Sequence, residues 1–363
     1  MQLCPPTFEP GKEGGTDKEI AVLMSGGVDS SVTAMLLRQA GWNVLGVTMK
    51  IPVAQSCANQ PRPCCGEEAA FVCHKLGIPH YFLDVGQAFE ENVVNPFRNA
   101  YASGLTPNPC VNCNTFLKFD LVWNFLGQSL GIRYLATGHY SRVIHEGDHT
   151  YLARAKDLAK DQSYFLYGIP RQRLPYLILP LGEMTKPEVR ELARRNDLHI
   201  AEKPESMELC FAGEGDYRKA LAEGEGRGPV LNMAGDIIAW HEGIAHYTIG
   251  QRKGLGFAAG VPLYVTRISP RDNSITVGTR EEASCNHVSA ETIRILIPEK
   301  VHPGTRLYGK IRSYGNPSAC MITEANNDKI TVEFDSPQFA PTPGQHMVLY
   351  DGDGNVIGGG IIC

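Results

Sequence analysis

Several things are missing from these 363 residues, and each absence closes off a class of protein. No apolar run approaches the ~20 residues that a membrane-crossing helix needs. The opening stretch from Met1 to Asp17 is polar and rich in Gly and Pro, unlike a secretory signal, so a cytoplasmic protein with no membrane partner is expected. Strong charge of one sign is absent too. The 34 Lys and Arg against 39 Asp and Glu leave a net charge of -5, so there is no global pull toward nucleic acid, and any such binding must rest on local basic patches. Internal repeats and low-complexity tracts are missing as well. What is present is a 43% hydrophobic, 20% charged composition typical of a globular chain, long enough for two or three domains. The 11 cysteines are an odd number without a secretion signal, which favours reduced thiols, metal ligands or sulfur chemistry over a disulfide framework.

From residue 19 to about 200, β-type runs alternate with helical patterns. Ile20 to Met24, Val44 to Met49, His80 to Val85 and Tyr134 to Thr137 read as strands, a rhythm that predicts a parallel α/β sheet. Thr185 reads as the N-cap and Pro187 as a first-turn residue of a closing helix. Glycine then becomes frequent, predicting a small, mostly β domain. Beyond about residue 283, turn signals at Asn326-Asn327-Asp328, Thr342-Pro343-Gly344 and Asp351-Gly352-Asp353-Gly354 predict a β-barrel. The expected boundaries are 1–18 for a flexible segment, 19–206 for the α/β domain, 207–282 for the central domain and 283–363 for the barrel.

The first strand breaks into Ser25-Gly26-Gly27-Val28-Asp29-Ser30-Ser31 and then into a helix. Two glycines let the backbone approach phosphate oxygens, and the helix start supplies N–H donors and a favourable dipole. A Walker loop would end in Gly-Lys-Ser/Thr, and here no lysine follows. Asp29 is suited to hold Mg²⁺ on a pyrophosphate or to cap the helix. The pattern resembles the PP-loop of the ATP pyrophosphatases, which split ATP into AMP and pyrophosphate and adenylate a substrate.

Further along, Thr106-Pro107-Asn108-Pro109-Cys110-Val111-Asn112-Cys113-Asn114 reads as a stiff extended loop carrying two thiols. Glu205-Ser206-Met207-Glu208-Leu209-Cys210-Phe211 brings a third. With these, Ala136-Thr137-Gly138-His139-Tyr140, Lys160 to Leu166, Pro180-Leu181-Gly182, Tyr247 to Gly254 and Thr342 to Gln345, the chain resembles the bacterial tRNA 2-thiouridylase family from about residue 19 to 362.

That resemblance implies a chemistry and a set of sites. ATP adenylates O2 of a wobble uridine in tRNA, and a sulfur nucleophile then attacks C2 and expels AMP. Leu23, Met24, Ser25, Gly26, Gly27, Val28, Asp29, Ser30, Met49 and Gly138 match the nucleotide-binding positions. Asn108, Pro109 and Cys110 match contacts to the target base, while His139, Lys160, Asp161, Gln162, Ser313, Tyr314 and Gln345 match tRNA-contacting positions. Cys210 matches a persulfide carrier loaded by a donor protein, a cysteine desulfurase or relay, and Cys113 its partner thiol; inorganic sulfide is the other expected sulfur source.

One departure makes a cluster the expected sulfur carrier, with the persulfide as the alternative. Many family members have aspartate where this chain has Cys110. Cys110, Cys113 and Cys210 together could hold a 4Fe-4S cluster with one iron open to hydrosulfide, making the cluster the sulfur carrier. Spacing alone does not choose between this cluster, zinc and a two-thiol persulfide enzyme in which Cys110 is a spectator.

Two other readings of the motifs are open. Amidating synthetases and tRNA lysidine synthetase share the loop but do not account for cysteines at 113 and 210, and a non-catalytic Fe–S or zinc RNA-binding protein would not cleave ATP. Cys57, Cys64, Cys65 and Cys73 read as packing thiols or a helix start. Lys300, Arg306, Lys310, Arg312 and Lys329 lend the C-terminal module local positive charge, and Arg252 and Lys253 form a basic hairpin tip; both features suit RNA contact.

Overall fold

The computed structural model describes residues 1–3, 18–51, 65–204, 209–211, 226–257 and 260–363. Cys4, Cys57, Cys64, Glu205, Ser206, Met207, Glu208 and most of the expected flexible segment lie outside the described residues. The chain divides into two compact units, Met1–Asn92 with Val111–Gly215, and Val93–Cys110 with Asp216–Cys363.

The first unit is built on strands β1 (Gln2–Leu3), β2 (Glu19–Leu23), β3 (Asn43–Lys50), β4 (His80–Asp84), β5 (Tyr134–Ala136) and β8 (Leu177–Ile178), with a side hairpin of β6 (Arg142–Glu146) and β7 (His149–Ala153). The sheet order is β1-β4-β3-β2-β5-β8. All pairs are parallel except β1 with β4. The parallel α/β sheet expected from the sequence is therefore present, and its strands differ from the predicted ones by a residue at either end. The order reverses between β2 and β5, which opens a crevice at their carboxyl ends.

Helix α1 (Val28–Gln39) follows β2 and buries Val32, Met35 and Leu37 against the sheet. The helix Lys186–Arg195 packs Val189 and Ala193 into the same core. Its start is as the sequence predicts: the Glu188 carboxylate accepts the Thr185 N–H at 2.7 Å and the Thr185 hydroxyl at 2.8 Å, and Pro187 sits in the first turn. Helix α2 (Cys65–Leu76) carries Cys73, a wholly buried thiol that burial pushes up to about 12. Cys73 is thus a packing residue, and Cys65 begins the helix, as expected for both.

The extended loop predicted across Thr106 to Asn114 needs correction. Only its first half is extended. Pro109 starts helical structure, Pro109–Asn112, which runs on through wide π-type turns at Cys113–Val122 into Trp123–Leu130, where Gly131 ends it at φ 70°. Proline restrains the residue before it, but in a first helical turn its missing N–H costs nothing. Cys110 and Cys113 are therefore one helical turn apart.

The second unit holds the helix Asn95–Ala102 and two β assemblies. Strands β9 (Gly228–Leu231), β10 (Ile237–His241), β11 (Tyr264–Ser269) and β12 (Ser274–Gly278) form a sheet in the order β10-β9-β12-β11 around Val230, Val265, Ile275 and Val277. A closed barrel follows from β13 (Ser284–Ile295), β14 (Arg306–Lys310), β15 (Ser318–Ala325), β16 (Lys329–Phe339), β17 (His346–Tyr350) and β18 (Val356–Ile362), in the order β13-β16-β15-β14-β17-β18. The predicted turn signals fall between β15 and β16, β16 and β17, and β17 and β18.

In this unit the segment ahead of Pro109 is stitched to the end of the chain. The Thr106 N–H donates to the Pro343 carbonyl at 2.9 Å, and Gln345 Nε2 donates to the Thr106 carbonyl at 3.0 Å. Gly344, at φ 91°, admits no side chain, since a Cβ there would lie 2.9 Å from Thr106 N.

The last barrel turn depends on Asp351. Its carboxylate accepts Lys300 Nζ at 2.7 Å, Asn355 Nδ2 at 3.0 Å and the N–H groups of Asp353 and Asn355. Burial alone would raise this carboxyl, but Lys300 and the Asn355 bonds outweigh it and hold it below its ordinary value of 3.8. A depressed carboxyl stabilises the fold above its unfolded value and loses that contribution as pH falls through the folded one. Asp351→Ala is expected to lower stability at pH 7 by about 1 to 3 kcal/mol. Acid titration of both proteins by circular dichroism should show a shallower loss below pH 4 for the variant.

Candidate active site

The loop Ser25 to Ser31 leaves β2 at the crevice and turns at Gly26, whose φ of 70° suits glycine. Its serines brace it internally. The Ser25 N–H donates to Ser30 Oγ at 3.1 Å, and the Ser30 and Ser31 hydroxyls donate to the Gly27 carbonyl at 3.2 and 2.9 Å. Gly27 is the N-cap of α1 with no side-chain cap, so the first-turn N–H groups of the helix face the crevice mouth. On the far side, Gly138 follows β5. A Cβ on Gly138 would sit 2.7 Å from Ser30 N and 2.8 Å from the Asp29 carbonyl carbon, a clash no side chain avoids. Met49, half-buried, is the next-to-last residue of the neighbouring β3, two places beyond the Val47 that pairs with Leu23. All the predicted nucleotide positions thus come together at the ends of β2, β3 and β5, and this backbone cradle fits a nucleotide phosphate.

Asp29 does something the sequence did not show. It does not cap α1. Lys186 Nζ donates to both its oxygens at 2.7 and 2.8 Å, and the Tyr140 hydroxyl donates to Oδ1 at 2.9 Å. The Lys186 side chain is only 8% exposed, and its ammonium also lies 5.7 Å from the centre of the Tyr140 ring. Lys203 Nζ reaches the loop from another direction, donating to the Gly26 carbonyl at 3.1 Å while pairing with Glu68. Sequence reading missed Lys186, Tyr140 and Lys203. For Lys186 a signal existed, because it shares the helix face of Val189 and Ala193 at spacings of three and seven, which is the buried face.

The predicted RNA-contacting residues of this unit fall into two kinds. Lys160 is half-buried, with its N–H bonded to the Asp157 carbonyl. Asp161 is an internal brace: its carboxylate, 1% exposed, accepts Arg154 Nε, the Ala155 and Ser163 N–H groups and the Ser163 hydroxyl. Gln162 ties this segment to the crevice, its side-chain oxygen accepting the Tyr140 N–H at 2.9 Å and its own N–H donating to the Tyr140 carbonyl at 2.8 Å. His139 is bonded to the Thr137 hydroxyl at 2.7 Å, and burial, with the charge of Lys118, pushes it down to about 3. It is a neutral imidazole at physiological pH and offers no cation to a phosphate.

Cys113 is half-buried and Cys210 exposed within this unit, with Phe211 stacked edge-on against Phe89 at 5.8 Å. In the second unit, Cys110 is exposed, Asn108 is half-buried and Pro109 is buried. Gln345 spends its side-chain donor on the 106–107 carbonyls. Ser313 is half-buried, and Tyr314, 94% exposed, stands out from the barrel between β14 and β15. Among the described residues, no three or more His, Cys, Asp or Glu side chains stand close enough to hold a metal ion. The three-thiol set expected to carry a 4Fe-4S cluster is divided between the two units, Cys110 in the second and Cys113 and Cys210 in the first.

The basic residues of the barrel are largely committed. Lys310 is buried, Lys300 serves Asp351, Arg306 pairs with Asp335 at 2.6 Å, and Arg312 donates to the Ala340 carbonyl at 2.7 Å.

Comparison with known proteins extends over the whole chain. Residues 18–214 match the tRNA methyl transferase HUP domain family, 219–279 the tRNA methyl transferase PRC-barrel domain, and 286–362 the aminomethyltransferase β-barrel domain. The tRNA-specific 2-thiouridylase MnmA of Carboxydothermus hydrogenoformans is 42% identical over 357 residues, covering 95% of this chain and 97% of that protein. MnmA 1 of Syntrophus aciditrophicus, also a tRNA-specific 2-thiouridylase, is 42% identical over 369 residues, covering 99% and 97%. The Acetivibrio thermocellus relative of the same name is 39% identical over 357 residues, covering 95% and 99%.

Proposed function

The chain belongs to the tRNA-specific 2-thiouridylase family, and from that premise we propose that it is an ATP-dependent sulfurtransferase acting on a wobble uridine of tRNA. The observation that carries this reading is the phosphate cradle at the reversal of strand order, where Gly138 must be glycine for β5 to approach the start of α1. The backbone N–H groups there suit the phosphates of ATP, with Mg²⁺ arriving as part of that substrate and Asp29 as the nearby carboxylate.

In the first step uracil O2 attacks the α-phosphorus, and the bond to the β-phosphate oxygen breaks with its electron pair leaving as pyrophosphate. An amide-like oxygen becomes a good leaving group once esterified. In the second step the terminal sulfur of a Cys210 persulfide attacks C2 and AMP departs, leaving a Cys210–S–S–C2 adduct. The Cys113 thiolate then attacks Cys210 Sγ, forming a 113–210 disulfide and releasing the 2-thiocarbonyl. Two electrons from an external thiol reductant open the disulfide, and a persulfide-carrying donor protein passes its outer sulfur to the Cys210 thiolate, the donor's own cysteine leaving as thiolate. The base has to leave the anticodon stack to reach these groups. The extended segment at Thr106 to Asn108 is the gate we assign to it, and Tyr314 offers an exposed aromatic face for stacking on RNA.

A cluster on Cys110, Cys113 and Cys210 is the competing carrier, favoured by the single-turn spacing of Cys110 and Cys113. Protein purified without oxygen decides between them through its iron and acid-labile sulfide. With the persulfide carrier, the wild type is expected to hold negligible iron and Cys110→Asp to retain activity within about threefold. Stoichiometric iron and sulfide, lost together with activity in Cys110→Asp, would overturn that carrier and establish the cluster. Pyrophosphate release that is absent even with tRNA would leave only an RNA-binding protein.

A further inference from the structure

We propose that Lys186 is a positioning residue for ATP activation, cancelling the charge of Asp29 at the start of α1 so that the helix N-terminus meets the phosphates unopposed. The inference rests on the adenylation reading above and assigns a role within that step.

The loop has no lysine, yet an ammonium is delivered to it from 157 residues away. Lys186 meets both Asp29 oxygens, and the Tyr140 hydroxyl fixes one of them. Tyr140 is itself held at its backbone N–H and carbonyl by Gln162, so the carboxylate has little freedom to turn.

A purely structural pin is the competing account. Burying the Lys186 ammonium is expensive even beside a partly exposed carboxylate, and an apolar side chain of similar volume usually stabilises as well or better. Val189 and Ala193, next on the same helix face, show that this helix packs on apolar contacts. The charge is better explained by its place. Asp29 lies in the first turn of α1, where an uncompensated carboxylate would repel an incoming triphosphate. Paired with Lys186 it is neutral, leaving the helix N-terminus its full attraction for anions. As the bond between the α-phosphorus and the bridging oxygen breaks, negative charge builds on the departing pyrophosphate. A carboxylate left unpaired there would oppose that charge more than it opposes the ground state, so the pairing by Lys186 counts for more as the bond breaks. Removing it should therefore lower kcat more than it changes KM for ATP.

The test is pyrophosphate release by the full-length protein with ATP and tRNA, run alongside thermal unfolding. Lys186→Met is expected to lower kcat roughly 100-fold with KM for ATP moved less than about threefold. Lys186→Arg, which keeps the charge in altered geometry, should recover at least about a tenth of the wild-type rate. Tyr140→Phe removes one bond to Asp29 and should cost about three- to tenfold in kcat. The proposal is overturned if Lys186→Met keeps wild-type kcat while folded, or loses rate only in proportion to its unfolded fraction. Should Lys186→Met not fold, the other two variants decide, and wild-type kcat in both overturns it. Silence of the wild type in the same assay would instead strike the adenylation reading, so the two failures stay distinct.

Discussion

Cys210→Ser protein, given ATP and substrate tRNA, is expected to release pyrophosphate and yet form at least about 1,000-fold less 2-thiouridine than the wild type. The two half-reactions use different parts of the first unit. In the proposed reaction the loop and α1 activate the uracil, and the thiols meet it only afterwards. Serine at 210 removes the sulfur carrier and leaves the cradle as it was, so the activated uracil is surrendered to water and ATP is consumed without product. Cys113→Ser should fail at a different point. Its Cys210 persulfide can still attack C2, but nothing resolves the mixed disulfide. Protein should accumulate covalently joined to tRNA, seen as a shifted band in a denaturing gel and abolished by dithiothreitol. Wild-type levels of 2-thiouridine from either variant would remove these cysteines from the reaction. A Cys113→Ser protein with no adduct and no product would place Cys113 before the attack on C2.

The second large effect is at Gly138. Gly138→Val would put a branched side chain within the 2.7 Å that separates the ideal Cβ position from Ser30 N, against backbone on both sides. Neither α1 nor the end of β5 can yield without distorting the cradle. ATP binding is expected to fall by at least about 100-fold, roughly 3 kcal/mol or more, as measured by calorimetry. Because a crowded backbone also strains the fold, the melting temperature should drop by several degrees for each ~1 kcal/mol lost. Gly138→Val protein that binds ATP as the wild type does would show that the nucleotide lies elsewhere.

Much of the architecture was legible because it rests on local patterns. The strands around Ile20, Val44, His80 and Tyr134 are short apolar runs bounded by polar or Gly breaks. The turn residues at 326–328, 342–344 and 351–354 mark the barrel corners. The loop at 25–31 was visible for the same reason, since its glycines and serines are contiguous. What the sequence concealed are partnerships between distant positions. Asp29 read equally well as a helix cap, because its true partners, Tyr140 and Lys186, lie far along the chain and only the fold brings them in. Charge at Lys300, Arg306, Lys310 and Arg312 read as a basic surface; residue type alone does not show that Lys310 is buried, that Lys300 and Arg306 pair with Asp351 and Asp335 while their side chains stay exposed, or that Arg312 bonds the Ala340 carbonyl. Pro109 misled in another way. Two prolines in three residues suggested an extended loop, yet the second stands where a helix tolerates proline. Cys110 and Cys113 thereby change from two thiols on a turn to two on successive levels of one helix.

The stitch between Thr106 and the end of the chain bears on how the protein is made. Translation delivers Thr106 a full 239 residues before Gln345, whose side chain holds it together with the Pro343 carbonyl. The barrel closes only when β18 pairs with β13 and β17. A nascent chain can therefore complete its nucleotide cradle on the ribosome while the segment ahead of Cys110 still lacks its anchor. Set in that order, the loop at 25–31 and its partners Tyr140 and Lys186 are all made before the residues that fix the segment ahead of Cys110.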